Sequence, residues 1–206
     1  MEKRLQLDSS VREEIVRVWA IAWPLILTNI LNALVGLVDF KMVGVLGVES
    51  IAAVGMSRQV TMFILVLMIA ISGGASVLVA HAHGAGDRDK VGSIAGRSTM
   101  YMLYTAILVV TPLGLLTSRG ILVALGAADP VVILGVSYLK VFFAGGVFTM
   151  FNFALSGILL GVGKTKVSLV LLVGVNLANI GLNYMFIFGA GPIPAYGVQG
   201  AAMGTI

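Results

Sequence analysis

Residues 51–80 read IAAVGMSRQVTMFILVLMIAISGGASVLVA, a stretch of thirty residues of which one, Arg58, is charged. An apolar stretch of about 20 residues is long enough to cross the hydrocarbon core of a bilayer as an α-helix. The whole 206-residue chain has the same character, with 59% apolar and 11% charged residues. A soluble domain usually carries about 25% charged residues. The sequence therefore predicts an all-α integral membrane protein with the lipid bilayer as its solvent.

Five stretches are long and apolar enough to span a membrane: residues 18–46, 51–80, 91–116, 130–162 and 167–188. Links that contain Gly separate them, and all but the first also contain Pro, Asp or Lys, as is usual between elements. A sixth apolar stretch covers residues 197–206, which reach about 15 Å, or roughly half the hydrocarbon thickness. We expect residues 1–17 to be a charged cytoplasmic leader and residues 18–206 to form five complete spanning helices and a truncated sixth.

The distribution of Lys and Arg predicts how the chain is oriented. If the N-terminus lies inside, only Lys41, Arg58 and Arg119 belong to the outer links. The inner links then hold Lys3, Arg4, Arg12, Arg17, Arg88, Lys90, Arg97, Lys164 and Lys166. An excess of positive residues in short cytoplasmic loops is the general rule for membrane proteins. We therefore predict a multi-pass protein of the plasma (inner) membrane with a cytoplasmic N-terminus.

Three of the predicted helices carry a stripe of polar or small residues at spacings of three and four, which places each stripe on one helix face. The stripes are Asn29, Asn32, Gly36 and Asp39 in the first helix; Gly145, Thr149, Asn152 and Ser156 in the fourth; and Asn176, Asn179 and Asn183 in the fifth. Lipid cannot satisfy such groups, so the stripes should face one another or a water-filled cavity. Helix lengths counted from Trp19 and Lys166 place Asp39 level with Asn183 and Asn32 level with Asn179.

Asp39 is the polar residue that most needs a functional explanation. Asn and Ser in membrane helices often only bridge neighbouring helices, at about 0.6 kcal/mol each, and this structural role suits Asn29, Asn152, Ser156 and Asn176. An aspartate costs roughly 2.5–3.5 kcal/mol at mid-membrane. Because Asn could fill a structural role more cheaply, we expect Asp39 to have a function. Burial also disfavours the charged form of a carboxyl group, so Asp39 could carry a proton.

Other chemistries find little support in the sequence. There is no Cys, so thiolate metal sites and disulfides are excluded. His81 and His83 have no third ligand nearby, and the glycine-rich links lack the spacing of a phosphate-binding loop. No set of residues resembles a catalytic triad or a carboxylate pair. We therefore expect neither an enzyme nor a nucleic-acid partner, and no cofactor.

Read in order, six short motifs resemble the multidrug and toxin extrusion (MATE) family of cation-coupled antiporters. They begin after Pro24 and occupy residues 38–47, 51–55, 84–87, 160–165, 179–189 and 197–202, reading VDFKMVGVLG, IAAVG, GAGD, LGVGKT, NIGLNYMFIFG and GVQGAA. The resemblance implies the N-terminal six-helix lobe of a two-lobe (6+6) antiporter. Such transporters export small organic, often cationic amphipathic compounds, including drugs, in exchange for protons or sodium.

The resemblance also implies which residues would bind the coupling cation. In a prokaryotic branch of the family, the site uses an acidic residue of the first helix, which matches Asp39. It also uses an Asn and an acidic residue of the fifth helix, which match Asn179 and Asn183, and a Thr that matches Thr205. Asn183 departs from that pattern because it is an amide where the branch has a carboxylate. This leaves one titratable group in the cluster and weakens the case for sodium at Asp39, but the sequence leaves open whether the coupling ion is a proton or sodium.

We assign the walls of a substrate cavity to Asn32, Gly36, Asn152 and Asn176, which belong to the polar stripes. A bend of the first helix at Pro24 and Gly36 after protonation of Asp39 would close such a cavity. The expected partners are an organic substrate and either a missing C-terminal six-helix lobe or a second copy of the chain. The alternatives are a flippase for lipid-linked sugars, which would need a more basic cavity, and a truncated lobe that does not transport.

Overall fold

The structure is a computed structural model that describes the backbone of residues 2–206 and the side chains of residues 11–20 and 22–206. Within this range the chain is almost entirely helical, and the prediction of an all-α membrane protein is confirmed. The helices are α1 (Glu2–Gly44), α2 (Val48–Gly84), α3 (Arg88–Thr105), a π-helical turn (Ala106–Val110), α4 (Thr111–Ala124), α5 (Asp129–Ala144), α6 (Gly146–Gly161), α7 (Thr165–Phe188) and α8 (Val198–Thr205).

Four continuous helical stretches are long and apolar enough to cross a membrane, and the bent pair α5–α6 gives a fifth. The first belongs to α1, which begins at Glu2, so the predicted leader of residues 1–17 is helical from Glu2 onward and continuous with the first span. No Gly or Pro precedes Pro24 in the sequence to interrupt this helix. Side chains of α1 such as Trp19 are largely exposed on the lobe, as expected for a helix in contact with lipid.

The third span is longer than predicted and contains an irregular turn. It runs over Arg88–Ala124 rather than ending near residue 116. The π-helical turn at Ala106–Val110 ends two residues before Pro112. Proline has no N–H for the helical ladder, and a π-helical turn is one way in which a helix absorbs that loss without ending. The span ends before Gly126, whose φ of 78° is a conformation that favours glycine.

The fourth span is broken, whereas a single helix over residues 130–162 was predicted. α5 and α6 meet at Gly145 with a bend of 52°. The Thr111 hydroxyl of α4 donates a hydrogen bond of 2.9 Å to the carbonyl of Phe143 beside the bend. The side chain of Ile206 packs so closely on Gly145 that a Cβ there would lie 2.5 Å from it. The bend therefore has a hydrogen-bond partner and a packing partner from other helices.

α2 lies at the centre of the lobe and contacts α5 and α6 through small residues. Gly135 of α5 lies against Ser57, whose hydroxyl donates to the Gly135 carbonyl at 3.3 Å. Gly157 of α6 lies against Ser72, whose hydroxyl donates to the Phe153 carbonyl at 2.7 Å. Small residues of this kind allow helix backbones to approach closely in a membrane.

The remaining contacts bring α1, α7 and α8 together. α1 packs along α7, and α8 packs against both α7 and α5. α8 is antiparallel to α7, because the Gly197 N–H donates to the Ile187 carbonyl at 3.2 Å and Gly200 lies directly on the backbone of Phe186. The polar residues of α1, α7 and α8 are therefore brought to one place.

Candidate functional site

The carboxylate of Asp39 on α1 meets an amide of α7. Its Oδ1 accepts a hydrogen bond of 2.7 Å from Nδ2 of Asn183. Asn183 is fully buried, with 0% of its surface exposed, and Asp39 is half-buried. A hydrogen bond to an ionised acceptor is roughly twice as strong as one between neutral groups. The contact therefore joins the first and fifth spans, and it is stronger when Asp39 is ionised than when it is protonated.

Asn179 extends this contact to α8. It lies one turn before Asn183, and its Oδ1 accepts a second hydrogen bond from Asn183 Nδ2 at 3.2 Å. The Nδ2 of Asn179 donates to the carbonyl of Gly204. Gly204 lies so close to the Asn183 side chain that a Cβ would overlap the amide oxygen. The result is a continuous hydrogen-bonded network that links Asp39, Asn183, Asn179 and the backbone of α8.

A small cavity opens beside the carboxylate. It has a volume of about 30 Å³ and is lined by Asp39, Phe40, Val43, Val54, Arg58, Tyr138, Ala201 and Thr205. A volume of this size accommodates about one water molecule or a small ion. Pockets for drug-sized ligands measure about 300–1,000 Å³. The cavity beside Asp39 therefore fits a proton, a water molecule or a small cation and is too small for an organic substrate.

Thr205 lies on the cavity wall, but its hydroxyl has a local partner. The Oγ1 donates to the carbonyl of Ala201 on the same helix at 2.7 Å. Its side chain also contacts that of Tyr138 on α5. Tyr138 is 5% exposed, and its ring stacks against that of Phe142. Thr205 and Tyr138 are therefore two hydroxyl-bearing residues that line the same cavity as Asp39.

The sequence interpretation missed Arg58 and Tyr138. Arg58 was assigned to an outer link, but it lies ten residues after the start of α2 at Val48. The guanidinium Nη1 donates to the carbonyl of Gly36 at 3.4 Å, and the side chain lines the same cavity as Asp39. The available signal was the position of Arg58 inside a predicted span, where a charged residue needs a partner. Tyr138 gave no comparable signal, since a tyrosine in an apolar helix is ordinary.

The residues predicted to line a substrate cavity do not all lie together. Asn176 Nδ2 donates to Asn32 Oδ1 at 3.3 Å, in an exposed contact between α7 and α1. Asn32 was expected level with Asn179, but its partner Asn176 lies about one turn earlier on α7. Asn32 and Asp39 are seven residues apart, as are Asn176 and Asn183, so the two parallel helices meet at two successive levels. The expected depths were counted along straight helices, with Trp19 and Lys166 taken to lie at the same depth in the membrane. Because that assumption does not hold, the count was wrong by about one turn.

Gly36 and Asn152 have other surroundings. Gly36 lies under the Arg58 guanidinium, and a Cβ there would lie 2.9 Å from Nη2. Asn152 lines a cleft of about 30 Å³ between α6 and α7, together with Ser156 and Ser168. Asn152 and Ser156 of the fourth-span stripe therefore face α7, away from the Asp39 cavity, whereas Gly145 of the same stripe lies against Ile206.

Among the residues whose side chains are described, no three His, Cys, Asp or Glu side chains form a group able to hold a metal ion. The side-chain oxygen atoms best placed to contact a cation are those of Asp39, Tyr138 and Thr205, which line the cavity. Asn183 Oδ1 is also buried and has no hydrogen-bond partner within the described chain. It is the Nδ2 of this amide, however, that faces the carboxylate.

The fold and this network define a multi-pass helical membrane protein with a carboxyl–amide cluster inside its helix bundle. A model of the MatE family matches residues 24–185, and the chain belongs to this family of multidrug and toxin extrusion (MATE) transporters. The recognition made from the six motifs is thereby confirmed.

Relatives and solved structures agree with this assignment. A probable multidrug resistance protein NorM of Thermotoga maritima is 32% identical over 95% of this chain and 41% of its own length. The multidrug resistance protein PmpM of Pseudomonas aeruginosa is 26% identical over 95% and 41%. A MOP superfamily transporter from Pyrococcus furiosus has a TM-score of 0.82 at 31% identity, covering 93% of this chain and 40% of that one. An outward-facing MATE multidrug resistance transporter has the same TM-score and identity, with coverages of 93% and 41%. The chain thus spans about two fifths of these proteins, as an N-terminal lobe would.

Proposed function

We propose that this chain forms part of an antiporter that exports small organic, often cationic amphipathic compounds, including drugs, across the plasma membrane. Family membership and relatives named as multidrug resistance proteins support the export of drugs. The observation that carries the proposal is the contact between Asp39 of the first span and Asn183 of the fifth, beside a small cavity lined by residues of α1, α2, α5 and α8. An ionisable residue in such a position is typical of ion and proton pathways.

The coupling ion in this proposal is a proton bound by Asp39. Asp39 is the one carboxyl group that lines its cavity. Protonation would remove the negative charge that strengthens the hydrogen bond from Asn183. The link between α1 and α7 would then weaken, and α1 could bend at Pro24 and Gly36. Pro24 is buried inside α1 and removes one backbone hydrogen bond there.

The organic substrate would bind outside the Asp39 cavity, because that cavity is too small for it. Asn32, Asn152 and Asn176 remain the proposed polar contacts for the substrate, and Gly36 remains a proposed position in the wall of its cavity. The exposed hydrogen bond between Asn32 and Asn176 lies seven residues before the Asp39–Asn183 hydrogen bond on each of the two helices. A change in the Asp39 contact could therefore alter the surface that the substrate touches.

Transport is proposed to require further helices besides those described. The relatives that the chain matches are more than twice as long. In a two-lobe antiporter a central substrate site opens alternately to the two sides of the membrane as the lobes move. The further helices would come from a C-terminal lobe or from a second copy of this chain.

The proposal is tested by efflux from proteoliposomes with a fluorescent organic cation as substrate. The purified chain is reconstituted alone and together with a six-helix C-terminal lobe of a relative, and pH and sodium gradients are applied separately. We expect a pH gradient to drive efflux and a sodium gradient to have no effect. Efflux in none of these conditions would contradict the proposal and favour a lobe that does not transport.

A further inference from the structure

Arg58 is the cationic residue of the cavity that contains Asp39. The charged or titratable groups that line this cavity are Asp39 from α1, Arg58 from α2 and Tyr138 from α5, while α8 contributes the uncharged Thr205. Among the described side chains, Arg58 and Asp39 do not approach within the 4.0 Å of an ion pair. Arg58 therefore shares the cavity with the carboxylate without occupying it.

We propose that Arg58 is the residue that prevents the Asp39 cavity from binding metal cations such as Na⁺ and so restricts it to a proton. This inference rests on the proposed role of Asp39 as the coupling group. It adds a determinant of ion specificity on α2, outside the helices that supply the carboxyl–amide network.

The first argument concerns ligands. Hard cations in proteins are surrounded by several oxygen ligands. A guanidinium offers five N–H donors and no acceptor, so the part of the wall formed by Arg58 supplies no ligand. Asn183 also turns its N–H₂ group toward Asp39. A proton needs no such set of ligands, because one carboxylate oxygen holds it in a covalent bond.

The second argument concerns charge. Two unit positive charges about 6 Å apart, at an effective dielectric constant of about 20, repel one another enough to weaken binding roughly 100-fold. The proton experiences the same repulsion, but it keeps its O–H bond. The repulsion therefore sets how strongly Na⁺ binding is suppressed, and the missing ligands are what distinguish Na⁺ from the proton.

The guanidinium of Arg58 lies against the backbone of α1 at Gly36. Nη1 is bonded to the Gly36 carbonyl at 3.4 Å, and Nη2 lies where a Cβ on residue 36 would come within 2.9 Å. Only glycine leaves room for the guanidinium at this place. A Gly36→Ala change should therefore displace the Arg58 side chain without removing its charge.

The test is equilibrium binding of ²²Na⁺ to the purified chain in detergent, which does not depend on transport. We expect Arg58→Gln to bind Na⁺ roughly 100-fold more tightly than the unchanged chain. Adding Asp39→Asn should abolish that gain. Arg58→Lys keeps the charge and should show little gain. Arg119→Gln, which removes an exposed arginine of α4, is the matched control and should bind Na⁺ as the unchanged chain does.

A folded Arg58→Gln variant whose Na⁺ affinity stays within about threefold of the unchanged chain overturns the proposal. If Arg58→Gln does not fold, Gly36→Ala decides instead: we expect about a tenfold gain, and no gain overturns the proposal. Gly55→Ala, at an open position of α2, is its control. A failure of the proposed function would give a different result: proton-driven efflux would be absent, while the Na⁺ affinities of the variants would still differ as expected here.

Discussion

At the scale of single residues, the sequence predicted the positions of Asp39 and Asn183 better than their surroundings. Spacings of three and four placed both on polar helix faces, and an aspartate in an apolar helix calls for a buried partner. The structure joins them at 2.7 Å. Arg58 and Tyr138 were missed, because spacing within one helix carries no information about which side chains another helix brings into the same cavity.

Gly204 gives a prediction about the network itself. A Cβ on Gly204 would overlap the amide of Asn183 and push α8 away from α7. We expect Gly204→Ala to destabilise the protein by about 1–3 kcal/mol, as overpacking usually does, and to lower the thermal unfolding temperature in detergent.

Gly181→Ala is the control for that change, because Gly181 lies on α7 with open space around it. A methyl group there should be neutral or slightly stabilising, since alanine favours helix over glycine by about 0.5–1 kcal/mol. Equal unfolding temperatures for the two variants would show that Gly204 is not packed on Asn183 as described.

At the scale of helices, the apolar stretches predicted the number of spans but not their shape. Apolar length indicates that residues 130–162 can cross a membrane, but they form two helices with a bend of 52° at Gly145 rather than one. The bend depends on Thr111 and Ile206, which come from other parts of the chain. The register of α1 on α7 likewise depends on packing, which places Asn32 beside Asn176 rather than Asn179.

The hydroxyl of Thr111 should stabilise the bent span. Replacement by the similarly shaped valine removes the donor to the Phe143 carbonyl beside the bend. We expect Thr111→Val to cost about 0.5–1.5 kcal/mol, the usual net value of a hydrogen bond, measured by chemical unfolding in detergent. Thr117→Val is the control because its hydroxyl is exposed and bonds within its own helix. A smaller loss for Thr111→Val than for Thr117→Val would contradict the role given to this contact.

At the scale of the whole molecule, composition and motif order were sufficient for the class and the family, since both depend on many residues at once. Orientation in the membrane rests on the Lys and Arg distribution and is still a prediction. The chain contains no cysteine, so single cysteines can report it. We expect Ala128→Cys, between α4 and α5, to react with a membrane-impermeant maleimide on intact cells.

Ala85→Cys, between α2 and α3, should react only after the membrane is permeabilised. Both positions are exposed on the lobe, so a difference in labelling would report the side of the membrane and not burial within the protein. The reverse pattern would place the N-terminus outside and overturn the predicted orientation.

The central claim is that Asp39 carries the proton that drives export. The most direct measurement compares efflux driven by a pH gradient for Asp39→Asn and for Asp129→Asn, whose carboxylate is exposed in the first turn of α5. Both variants are reconstituted as the unchanged chain is when it shows efflux, either alone or with the six-helix C-terminal lobe. We predict that Asp39→Asn reduces efflux to the rate of protein-free liposomes while Asp129→Asn retains it. Full proton-driven efflux by Asp39→Asn would contradict the account.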